Sequence, residues 1–119
     1  MREIKFRAWN RISKVMGYVH SIDFAEEEVK VRVDNPSITQ ETGLSFDFRY
    51  WNFDAIELMQ FTGLYDKNGK EIYEGDLVKT IYNDSVYEVQ WNDMLTGFIP
   101  LIRYVHEVIG NIYEQEGGK

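Results

Sequence analysis

The chain has 119 residues, a formal net charge of −7, 44% apolar and 15% aromatic residues, and no cysteine. That length suits one domain, or two very small ones sharing a core, and the apolar content excludes a disordered chain. Without cysteine there are no disulfides, zinc-thiolate sites or thiol nucleophiles. No apolar run approaches a membrane span, and the start MREIKFRAW lacks the apolar segment of a signal peptide, so a soluble, cytoplasmic chain is expected.

The charge is uneven. Residues 1–14 carry Arg2, Lys5, Arg7, Arg11 and Lys14 against Glu3 alone, a balance of +4, and the remainder carries 8 bases and 19 acids, a balance of −11. Phosphate backbones are held chiefly by Lys and Arg, so the acidic body counts against non-specific nucleic-acid binding.

Taken in order, Glu3–Trp9 alternates, with Ile4, Phe6 and Ala8 on one side and charged residues on the other, the period of a half-buried strand. Asn10–Lys14 reads as a turn. Val15–Phe24 reads as a second strand, with Met16, Tyr18, His20, Ile22 and Phe24 on one face and Gly17 marking a bulge. Ala25–Glu28 is an acidic turn. Val29, Val31 and Val33 then alternate with Lys30, Arg32 and Asp34 in a third strand. Pro36 breaks the pattern, and the polar segment to Gly43 is expected to be a mobile loop. Leu44, Phe46, Phe48 and Tyr50 resume alternation against Ser45, Asp47 and Arg49. Phe53–Phe61 fits one or two helical turns or a strand, and a strand from near Ile56 is favoured.

Asn68-Gly69, between Lys67 and Lys70, is the clearest turn in the chain. A two-residue turn there would oppose Lys67 to Lys70 and Asp66 to Glu71; a loop starting at Asp66 would relieve these like-charged pairs. Glu74-Gly75-Asp76 is a second break. Strands Leu77–Tyr82 and Val86–Trp91 follow, the latter with Tyr87, Val89 and Trp91 on one face. Phe98–Val105, interrupted by Pro100, reads as an irregular or edge segment. Val108–Tyr113, with a bulge at Gly110, is the last strand, and Glu114–Lys119 is a frayed polar tail.

The pattern predicts an all-β protein of antiparallel hairpins with at most a short helix. Residues 1–57 form an N-terminal β region, and residues 58–119 resemble a small SH3-like barrel, the two packed as one compact unit.

Candidate chemistry is sparse. Asp66, Asn68, Glu71, Glu74 and Asp76 crowd together but lack the spacing of a calcium loop, so a solvated turn is the better reading. Glu74 or Asp76 would instead cap backbone amides. His20 and His106 are the only histidines and form no metal-binding pair; His20 reads as a core residue. An enzyme would need His106 and the carboxylates around Asp76 brought together by folding. No catalytic, metal or cofactor residue is assigned. Lys5, Arg7, Arg11 and Lys14, with Phe6 and Trp9, could track phosphates and stack on bases, but a wet strand face explains Lys5 and Arg7 more simply.

Three stretches carry a family resemblance: IKFRAWN at 4–10, LMQFTGLYDKNGKEIYEGDLVK at 58–79 and VIGNIYE at 108–114. On these the chain resembles the YopX-like family of small phage and prophage proteins. The resemblance implies a β-rich intracellular protein in the bacterial host, and it implies no catalytic residues. The aromatics Tyr50, Trp51, Phe53, Tyr65, Tyr73, Tyr82, Tyr87, Trp91 and Phe98 exceed what one small core needs, and a surface surplus suits an interface. The expected function is therefore a non-enzymatic module that binds a protein partner or associates with itself as a homo-oligomer. The alternative is a nucleic-acid binder using the basic start.

Overall fold

The computed structural model describes residues 3–34, 45–80, 82, 84–100 and 106–117, with side chains to Glu114. The chain divides into two compact units, residues 6–58 and residues 1–5 with 59–119.

The first unit is an antiparallel meander. Strands β1 (Phe6–Asn10), β2 (Val15–Asp23), β3 (Glu28–Asp34) and β4 (Phe46–Asn52) lie in the order β4-β3-β2-β1. Turn chemistry fixes the first hairpin: Asn10 Oδ1 accepts from the N–H groups of Ile12 and Ser13, and Lys14 takes a positive φ of 61°. One face of the sheet is the core, with Ala8, Val29, Val31, Val33 and Trp51 buried, Ile56 beside them, and Val15, Val19 and Ile22 packed on them. Gly17 belongs to this face for a steric reason. A Cβ there would lie 2.9 Å from Val31 Cβ and 3.0 Å from the Trp51 ring.

Two sequence expectations for β2 change. The register with β3 runs Val19↔Val31 and then Ser21↔Lys30, so the extra residue of the bulge is His20, not Gly17. The bulge reverses the alternation. Val15, Gly17 and Val19 face the core before it and Ile22 after it, while Tyr18 and His20 are exposed. The loop expected up to Gly43 lies outside the described residues.

A single 3-10 turn, Phe53–Ala55, leads into β5 (Ile56–Tyr65), as the favoured strand reading expects. Its first residues belong to the first unit, where the N–H of Arg11 donates to the carbonyl of Ala55 at 2.8 Å, and Met59–Tyr65 belong to the second.

In the second unit β5 pairs with β6 (Glu71–Tyr73). Strand β7 (Asp76–Thr80) lies between β11 (His106–Asn111) and β8 (Val86–Glu88), and β9 (Gln90–Asn92) pairs with β10 (Gly97–Ile99). Ile72, Val78 and Val89 form the core, with Leu64, Phe98 and Val108 packed on it. The SH3-like barrel expected here is not present: among the described residues every sheet is open. The reason lies at Val89. Val86–Trp91 reads as one strand, and Val89 carries the pairing of β8 one residue further, opposite Asp76, where the 75–76 bend ends the partner strand: its N–H donates to Asp76 O at 2.9 Å, and its carbonyl accepts from Gly75 N–H at 3.0 Å. The chain beyond it pairs with β10, and among the described residues no ladder returns to close a barrel. Val89 is buried, while Tyr87, opposite the core residue Val78, and Trp91 stay partly exposed.

The C-terminal segment is also more ordered than a frayed tail. After β11, with its register shift between Val108 and Gly110, helix α1 spans Ile112–Gly117. Asn111 Oδ1 accepts from the N–H groups of Tyr113 and Glu114, and Asn111 Nδ2 donates to Glu114 Oε1. Asn followed three residues later by Glu is a helix-start signal of the capping-box kind, legible in the sequence but read there as a tail.

Candidate interaction surface

The stretch most specific in sequence is a scaffold. Tyr65 pairs with Glu71, so the loop spans residues 66–70, the longer of the two turns expected. Asp66 organises it. The carboxylate is 1% exposed, Oδ1 accepts from the N–H groups of Asn68 (2.8 Å) and Lys70 (2.9 Å), and Oδ2 accepts from Val108 N–H at 3.0 Å. Burial pushes this carboxyl up, but the amides of Val108, Lys70 and Asn68 and the charge of Lys70 hold it below its ordinary value. The solvated turn of the sequence reading is thus a buried anchor, because its oxygens replace water with three N–H donors.

The neighbouring bend works the same way. Tyr73 N–H donates to Asp76 Oδ2 at 2.8 Å and Gln60 N–H to Glu74 Oε1 at 2.9 Å, while Gly75 takes a φ of 85°. Both carboxylates cap amides, as expected. His106 is buried at the far end of the β7–β11 ladder, opposite Thr80, whereas Asp76 is opposite Asn111. Four residues of strand separate them, about 13 Å, so folding does not unite them. Among the described residues no group of three His, Cys, Asp or Glu could hold a metal ion.

The four basic candidates have different surroundings. Lys5 pairs with Glu71 and, at 3.4 Å, with Glu3, and it lies over the Phe61 ring. Its hydrogen bond to Glu71 raises its pKa despite partial burial. Arg7 is only 6% exposed. Arg11 donates to the carbonyls of Ile56 and Asp54 and pairs with Glu57 at 3.0 Å. Lys14 is exposed at the tip of the first hairpin.

The surface that folding does assemble is the outer face of β2, β3 and β4. The β3–β4 register sets Val29, Val31 and Val33 opposite Trp51, Arg49 and Asp47 on the core side, and Lys30, Arg32 and Asp34 opposite Tyr50, Phe48 and Phe46 on the other. Tyr18 adjoins Arg32 from β2. The aromatics of β4 therefore point away from the core: Tyr50 is 63% exposed and Phe48 46%, beside Trp51 at 8%. Cations sit among them. Lys30 Nζ lies 4.7 Å from the Phe48 ring centre, and the Arg32 guanidinium lies 5.6 Å from Tyr18 and 5.5 Å from Phe46. His20, turned outward by the bulge, meets Phe48 edge-on at 5.3 Å. Glu28 and Asp34 sit at the two ends of the β3 row. Of the aromatics singled out in the sequence, Trp51 and Tyr73 are buried, Phe53, Tyr65 and Phe98 half-buried, and Tyr50, Tyr82, Tyr87 and Trp91 exposed. Sequence reasoning missed Tyr18, Lys30, Arg32 and Phe48 as a group. Their common signal is the alternation of β3 and β4, which becomes a surface only once the register is known.

These features define an antiparallel β protein of two sheet-built units with an aromatic and cationic sheet face. The family model described as YopX protein matches residues 5–116, and the chain belongs to that family. The crystal structure of protein EF1440 from Enterococcus faecalis is similar, with a TM-score of 0.63 and 25% identity over 98% of this chain and 97% of that one. No curated protein matches. Among the described residues no helix is long and apolar enough to cross a membrane.

Proposed function

We propose that the chain is a non-enzymatic interaction module whose working surface is the outer face of β2, β3 and β4. One observation carries this reading: Tyr18, Phe48 and Tyr50 are exposed together on a folded sheet, interleaved with Lys30 and Arg32. Aromatic residues and Arg dominate the energetics of protein–protein contacts, because they bury much area at little cost in conformational freedom. The cation–aromatic contacts hold the side chains of Lys30 and Arg32 in place before any partner arrives, which lowers the ordering cost of association.

The test is site-specific photo-crosslinking. A photoreactive residue at Tyr50 in the full chain, in bacterial lysate, is expected to capture defined adducts that the same residue at Asp84 does not. A Tyr18→Ser/Lys30→Glu background, with an unchanged circular dichroism spectrum, is expected to abolish them. Equal labelling from Tyr50 and Asp84, or adducts that persist in the double variant, would overturn the assignment of this face.

A further inference from the structure

Strand β4 ends its sheet: β3 pairs with one side of it, and among the described residues no strand pairs with the other. A long aromatic edge strand is a template for pairing with another chain, and proteins ordinarily blunt such edges with charged side chains, Pro or a bulge. Residues 46–50, Phe-Asp-Phe-Arg-Tyr, contain no Pro, their pairing with β3 runs without a register shift, and their two charges, Asp47 and Arg49, are of opposite sign.

The sequence of this edge is complementary to itself. In an antiparallel pair of two β4 strands centred on Phe48, Asp47 of each copy stands opposite Arg49 of the other, and Phe46 opposite Tyr50. Both relations occur twice because the arrangement is two-fold. Opposite charges and aromatic pairs directly across an antiparallel pair are stabilising. The neighbouring registers fail. Centring on Arg49 or on Asp47 sets like charges face to face. A one-residue slip turns the second copy over, so that its aromatic stripe lies on the opposite side of the sheet.

The charges of this edge are only loosely engaged within their own strand. Asp47 Oδ2 reaches Arg49 at 3.4 Å, and the two side chains stay 35% and 44% exposed, so the accessible parts of both can meet a second copy.

We propose that two copies of the chain associate edge to edge through β4, in antiparallel register about Phe48. The two outer faces then join into one continuous aromatic and cationic surface. This rests on the reading of the chain as an interaction module and names a second copy as the occupant of its edge.

The experiment measures the dissociation constant of the full chain by sedimentation for the wild type, Arg49→Asp, Asp47→Arg, and an equimolar mixture of the two variants. The wild type is expected to dimerise. Each variant turns two attractive cross-strand pairs into two repulsive ones and is expected to weaken the dimer at least about tenfold. The mixture restores both pairs and is expected to recover wild-type association. Hydrogen exchange on the wild type gives a readout that needs no variant: amides of residues 46–50 are expected to gain protection as protein concentration rises. A wild type monomeric at the highest attainable concentration, a dimer indifferent to both variants, a mixture that fails to recover, or β4 amides insensitive to concentration would each overturn the edge pairing. Tyr18 and Lys30 lie off this edge, so crosslinking that still depends on them while the dimer is absent would remove the edge pairing alone and leave the proposed function standing.

Discussion

Residues 66–76 are largely polar and carry the anchors of an interior, whereas residues 46–50 are largely aromatic and present those aromatics on an open sheet face. Asp66 and Asp76 are almost wholly buried, yet Phe48 and Tyr50 are not. The contrast follows from what each group can satisfy. Asp66 meets three backbone N–H donors, and Asp76 receives Tyr73 N–H. Their desolvation is thereby offset, and in return they fix a loop and a bend that no apolar side chain could hold. On β4 the strand has two faces and only one core. Once Trp51 packs against Val31 and over Gly17, period-two geometry sends Phe48 and Tyr50 to the other side. In these two stretches burial therefore follows hydrogen bonding and register more than residue hydrophobicity.

The sharpest way to break the comparison is within β4 itself. Trp51→Ala empties the centre of the first unit's core, and its expected cost is ~3–5 kcal/mol, the range for a large buried aromatic. A urea midpoint lowered by less than ~1 kcal/mol equivalent would show that Trp51 is not the residue on which the face assignment turns.

Much of this was legible and some was not. The strands around Val29–Val33 and from Ile56, the turn at Asn68-Gly69 and the amide-capping role of Asp76 were readable, because each depends on a few adjacent residues. The side to which β4 turns its aromatics was not readable. Phe46, Phe48 and Tyr50 alternate as well as any core strand, and Trp51 sits next to them out of phase. Only pairing with Val29–Val33 decides between the two faces, and that is a non-local fact. The bulge at His20 was hidden for the same reason, since it exists only relative to β3. The open sheets of the second unit are not legible because Val86–Trp91 is a continuous strand pattern, and it is interrupted at Val89 only because its distant partner strand ends at the 75–76 bend. The capping signal at Asn111 and Glu114 is local and legible, but it lies within a polar run at the end of the sequence, which by itself suggests a tail.

Asp66→Asn tests the other half of the comparison. An amide can keep its oxygen toward Asn68 and Lys70, but its NH2 then faces the N–H of Val108, donor against donor. The expected loss is ~1–3 kcal/mol, the cost of a buried group left without its partner. Acid dependence gives the direction independently. Because the folded carboxyl is held below its ordinary value of about 3.9, the wild type's unfolded state takes up the proton first. The stabilisation from this group is fully present above that value and is lost as pH falls through the lower folded one. Urea titrations between neutral pH and pH 3 should therefore show a wild-type decline that is smaller in Asp66→Asn. Equal declines in the two proteins would mean that the three amides do not hold Asp66 charged.

Tyr50→Ser should have the smallest effect on stability and is the most discriminating for the face. Tyr50 neighbours Trp51 and is similar in kind, so composition alone would rank their losses together. Its side chain, however, stands on the outer side opposite Lys30 and is mostly in water. Substitutions at such positions usually stay within ±0.5 kcal/mol, and the urea midpoint of dilute protein should hold to that bound. A loss approaching that of Trp51→Ala would mean that the aromatic stripe is covered within the folded chain itself, and both the face and the edge would then lose their claim on a partner. A neutral result leaves the exposed tyrosine without a stabilising role in its own chain, which is the condition under which an association surface explains it.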